Sequence, residues 1–170
     1  ETGYAKRSQR KCKLKNEINI LIESLEKKKE ILNEILANSE KQFEIINSEQ
    51  PDLEEFDRSV DQKTELVQKM DQNDQGFDRV FNRIKNALID DQAQYSAEIR
   101  TMQGLIREIL DLGSEIHNTE TRTQDSLGQY LKDNKSRLRK GRRDSKAVFD
   151  YYKQASQTKY VTPMFMDQKQ

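Results

Sequence analysis

Few side chains in this chain are equipped for chemistry. His117 is the only histidine and Cys12 the only cysteine. A di-metal site in a helical bundle needs Glu-x-x-His pairs on facing helices. The local order Ser114-Glu115-Ile116-His117 sets the carboxylate two positions from the imidazole, so that spacing fails. A lone histidine on a helix is more often a surface group than a catalyst. The sequence carries no glycine-rich phosphate loop, no Cys/His cluster and no elbow-type serine. The expectation is a protein that is not an enzyme and uses no cofactor or metal. With one cysteine, no disulfide can form within the chain, which points to a reducing compartment.

Charge is the next candidate. Lys and Arg equal Asp and Glu at 30 each, yet the signs segregate. Residues 1–16 are basic, 49–91 are acidic, and Arg137, Arg139, Lys140, Arg142, Arg143 and Lys146 form a second basic block. Such a block can grip phosphates without reading sequence. It lies beside Phe149, Tyr151 and Tyr152, outside any recognisable nucleic-acid fold, in a chain that is neutral overall. Nucleic acid is therefore not the expected partner. A solvated helix face, or a surface that steers a protein partner, fits the pattern better.

These residues must be carried by helices. The composition is 33% hydrophobic and 35% charged, with no Trp, 2 Pro and 6 Gly, which is enough for one modest all-α domain. Leu14, Ile18, Leu21, Leu25, Leu32, Ile35 and Ile46 follow heptad steps and predict a first helix over about 11–46. Lys28 and Ser39 interrupt that seam. Pro51 ends the run by biasing Gln50 away from helical angles, and Asp52 can cap the next helix, over 53–89. Its stripes, Leu53, Phe56, Val60, Leu66, Val67, Met70 and then Phe77, Val80, Phe81, Ile84, Leu88, Ile89, flank the polar Asp71–Gly76 stretch. A continuous or slightly kinked helix is expected there.

After a reversal at Asp90–Gln94, a third helix is predicted over 93–155, with 157–170 as an extended or disordered tail. Its seam is Tyr95, Ile99, Met102, Ile106, Ile109 and Ile116, widened by Leu105 and Leu112; it turns polar at Glu120 and Thr123. Short connections make successive helices antiparallel neighbours, giving an antiparallel three-helix bundle or coiled coil in one domain, 1–156. The first two helices are about 37 residues, or roughly 55 Å, so the third outruns its partners near Gln129.

From just before that point Leu127, Tyr130, Leu131, Leu138, Val148, Phe149 and Tyr152 continue an apolar face. Such a face docks an amphipathic helix from a partner, or pairs two copies of the chain. The first reading makes this overhang the binding site, steered by the basic block; the alternative is a self-associating structural or regulatory coiled coil, a homodimer. No apolar run approaches the roughly 18–20 residues of a membrane span, and no signal-peptide core is present. Insertion into a membrane is not expected, and a cytoplasmic protein is. The chain begins Glu1-Thr2-Gly3 without Met, as an added remnant or a trimmed start would.

The stretches VDQKTELVQKMDQNDQGFDRVFNRIKNAL (60–88), Tyr95 with EIRTMQGLIREILDLGSEI (98–116), YYKQ (151–154) and FMDQKQ (165–170) resemble the FlgN-type flagellar export chaperones, in the form found in clostridia and their relatives. The more specific part of the likeness is the lysine–glutamine core of the second helix, DQGFD at 74–78, and the Phe-Met-Asp-Gln-Lys ending. The resemblance implies a cytoplasmic chaperone of the flagellar type III export system. Its clients would be hook-associated proteins of the hook–filament junction, bound through their C-terminal helices and delivered to the export apparatus. It also implies that the C-terminal part of the long last helix binds the client. Phe165 and Met166 are then candidates for contact with the export gate.

Overall fold

The computed structural model describes the backbone of residues 2–135 and the side chains of residues 8–135. Three helices make up the described chain: α1 (Thr2–Ile46), α2 (Leu53–Asp90) and α3 (Ser96–Asp133). The all-α bundle expected from the sequence is the fold observed.

Helix α1 begins nine residues ahead of the expected start at Lys11. The expectation followed the apolar seam, which opens only at Leu14. The preceding residues include Ala5, Lys6, Arg7, Gln9 and Arg10, all good helix formers, and no proline interrupts them. Helix α2 runs unbroken through Asp71–Gly76. Asp52 caps it as expected: one carboxylate oxygen accepts from the backbone amides of Glu54 and Glu55, each at 3.0 Å. The expected continuation of the third helix to about residue 155, and the tail from 157, lie outside the described residues.

Each helix contributes one segment to each of two compact units. The first comprises 1–31 and 68–109, the second 32–67 and 110 onward. In the first unit, Leu14, Ile18, Leu21 and Leu25 of α1, Met70, Ile84 and Leu88 of α2, and Met102, Leu105 and Ile109 of α3 are buried. Leu105 takes the central place that the sequence pattern gave to Ile106, which is half-buried.

The polar Asp71–Gly76 stretch of α2 is met by a polar stretch of α1. Ser24 donates to Asn73 Oδ1 at 3.2 Å, and Asn73 Nδ2 donates back to the Ser24 carbonyl at 2.9 Å. Lys28 pairs with Asp74 at 2.6 Å. These bonds show what the polar stretch of this continuous helix faces, and what the lysine in the α1 seam faces. Arg83 pairs with Glu17 at 2.8 Å, so residue numbers descend on α2 as they ascend on α1. Those on α3 ascend with α1: Tyr95 donates to the Lys11 carbonyl at 3.3 Å, and Lys29 pairs with Glu108 at 2.7 Å. The chain directions are those of an antiparallel bundle.

Candidate partner-docking site

The described part of the expected docking surface belongs to the second unit, where α3 passes the reversal between α1 and α2. That reversal is built locally. Asn47 and Ser48 end α1 by turning their side chains back onto it, donating to the Phe43 carbonyl at 2.7 Å and the Ile45 carbonyl at 2.9 Å. They thus satisfy carbonyls that the last helical turn leaves open. Pro51 follows, and Asp52 starts α2.

Beneath the reversal, Ile45, Ile46, Phe56, Val60 and Leu127 form a buried cluster, and Leu53, Tyr130 and Leu131 pack against it half-buried. Ser126 donates to Asn47 Oδ1 at 3.1 Å, tying α3 to the end of α1. One turn earlier the Arg122 guanidinium lies 4.2 Å from the centre of the Phe43 ring, a cation–π contact. A groove of about 700 Å³ opens between the 47–51 loop and the last turn of α3, with Gln50, Gln129, Tyr130 and Asn134 among its walls.

Leu127, which the sequence reading placed among the partner-binding residues, is 2% exposed and belongs to the core cluster. The α1–α2 reversal extends far enough to cover it, and it also half-covers Tyr130 and Leu131. Leu138, Val148, Phe149 and Tyr152 lie outside the described residues. So do the basic side chains Arg137, Arg139, Lys140, Arg142, Arg143 and Lys146, and Phe165 and Met166.

Behind the cluster lies a feature only partly anticipated from the sequence. Lys63 of α2 is completely buried, and its ammonium donates to Gln42 Oε1 of α1 at 2.6 Å and to Glu120 Oε1 of α3 at 3.1 Å. Ser39, Ser59 and Thr123 are buried in the same unit. Burial pushes the Lys63 ammonium below the ordinary lysine value, while the Glu120 charge and hydrogen bond pull it upward. The polar turn of the seam at Ser39, Glu120 and Thr123 was legible. Gln42 and Lys63 were missed, although their spacing marks them. Residues 35, 39, 42 and 46, and residues 56, 60, 63, 67 and 70, each step by threes and fours.

Among the described residues, no group of three or more His, Cys, Asp or Glu side chains could hold a metal ion. No described helix is long and apolar enough to cross a membrane. His117 and Cys12 are both exposed.

Comparison with known proteins gives one match. A family model described as FlgN protein matches residues 17–159, well over half of the chain. No curated protein and no solved structure matches. The family match takes in all but the start of α1, the whole of α2 and α3, and the sequence beyond α3 as far as Lys159.

Proposed function

The chain belongs to the FlgN family, flagellar export chaperones rather than enzymes, and on that premise we propose that it holds hook-associated proteins in the cytoplasm by their C-terminal helices. It would keep them from assembling early and hand them to the export apparatus. The observation that carries this reading is the reach of the family match. It continues past α3 through the basic block and the Val148–Tyr152 cluster, the stretch whose apolar residues the sequence offers as a docking face.

In this reading Tyr130 and Leu131 are the base of the docking surface, since they are half-buried at the end of the core cluster. Leu138, Val148, Phe149 and Tyr152 extend it along the sequence. Arg137 to Lys146 favour an acidic client segment and speed its encounter. The client contributes an amphipathic helix, the recognition mode in which a few apolar anchors carry the contact.

The test is co-purification of the full chain with the C-terminal segments of hook-associated proteins, beside a chain lacking 136–170. Capture by the full chain and loss on truncation are expected. Equal capture by both chains would end the proposal. So would a stable dimer that captures nothing, the result predicted by the self-associating alternative.

A further inference from the structure

We propose that the 110–133 segment of α3 opens from the α1–α2 hairpin of the second unit, with the buried polar layer around Lys63 as its point of separation. Three observations converge on this, and none depends on which client is bound.

The first is the chemistry of the layer. Opening an apolar interface costs the hydration of everything it uncovers. Opening this layer returns water to Lys63, Gln42 and Glu120, whose burial carries a desolvation cost that their mutual bonds only partly offset. Asn38 Oδ1 and Ser39 Oγ are buried with no hydrogen-bond partner among the described residues. Access of water would satisfy both.

The second is the intrinsic weakness of the helix. Between 113 and 128, α3 carries Gly113, Gly128, Thr119, Thr121 and Thr123, all poor helix formers. Thr121 and Thr123 turn their hydroxyls back onto the carbonyls of His117 and Thr119, at 2.9 and 2.8 Å. That arrangement slightly destabilises a helix.

The third is the contrast within α3 itself. Its 96–109 segment places Met102, Leu105 and Ile109 in buried positions. In the 110–133 segment, Glu120 and Thr123 occupy two of the corresponding positions between Ile116 and Leu127. A segment with fewer buried apolar groups and weaker intrinsic helicity opens at lower free energy than the rest of the fold. Its departure uncovers Ile45, Ile46, Phe56 and Val60 together, a face suited to an amphipathic helix.

Hydrogen–deuterium exchange on the full chain tests this. Amides across 113–128 are expected to exchange together, about tenfold or more faster than those of 98–109. Equal protection of the two segments, or a rate that climbs gradually toward Asp133 as end-fraying would give, refutes the proposal. Replacing the layer by Lys63→Met, Glu120→Leu and Gln42→Leu is expected to slow 113–128 about tenfold or more and leave 98–109 unchanged. If the triple variant does not fold, Thr121→Ala with Gly128→Ala decides. Both positions tolerate alanine, one being exposed and the other facing open space. That pair should slow the same amides severalfold by raising helix propensity. No slowing in a folded variant refutes the proposal as well.

Discussion

Lys63 and Glu120 form an ion pair at 3.1 Å with side chains 1% and 11% exposed, which joins α2 to α3 inside a helical core. Removing one partner of such a pair leaves the other charge buried alone. Glu120→Gln is therefore expected to cost about 3–5 kcal/mol, whereas Lys63→Met with Glu120→Leu should be neutral or stabilising by about 1–4 kcal/mol. Urea denaturation of the two variants beside the natural chain measures the difference. A double variant weaker than the natural chain would mean that the pair is a net source of stability.

The same pair makes a prediction about pH. Burial lowers the Lys63 value in the folded chain. Between that lowered value and the ordinary lysine value, the unfolded chain holds the extra proton, so this group's contribution to stability rises with pH. Glu120→Gln removes the carboxylate that supports the charge and widens the window toward neutral pH. The stability deficit of that variant should thus shrink from neutral to alkaline solution. A deficit that stays constant, or grows, would contradict the assignment of Lys63 as a destabilised charge.

Gly76 and Gly128 sit within helices, and an added Cβ at either would meet nothing within 4 Å. Neither has a positive φ. Glycine there costs helix stability without a packing return. Gly76→Ala and Gly128→Ala are each expected to stabilise the fold by about 0.5–1 kcal/mol. Thermal unfolding followed by circular dichroism reads the change, and a lowered midpoint in either variant would show an unrecognised demand for glycine.

Leu127→Ala should remove buried methyl groups from the Ile45, Ile46, Phe56, Val60 cluster and cost about 2–5 kcal/mol. Denaturant titration without any partner present is the check. A variant as stable as the natural chain would return Leu127 to the docking surface, since a contact made only with a client contributes nothing to the free protein.

Periodicity disclosed the helices because the threes and fours of their inner faces persist across the polar positions. Leu14, Ile18, Leu21, Leu25, Leu32, Ile35 and Ile46 were all expected in the core and are all buried. The same rule, applied to residue type instead of position, hid Lys63 and Gln42. A lysine within the steps of a seam reads as solvated until another helix is known to bring a carboxylate to it. The burial of Leu127 in the free chain escaped notice for a related reason. Counting helix lengths locates where partners run out to within a few residues, but side chains lean back over the preceding turn. The early start of α1 had no apolar signal to mark it, only favourable propensity. The proposed docking surface was read from an apolar face continuing past the bundle, and of its residues Tyr130 and Leu131 are described, half-buried against the core cluster.

The way the three helices are shared between two units has a consequence for the order in which the molecule can form. The 32–67 part of the second unit is a single contiguous hairpin around the Asn47–Asp52 reversal, complete before any of α3 has been synthesised. Once it closes, Ile31 and Gln68 are brought together, and the first unit no longer bears the entropy of closing that loop. Helix α3 then adds to a surface already present. The reversal that shapes the groove beside Tyr130 is thus also where assembly can begin, and α3 is the last piece to arrive.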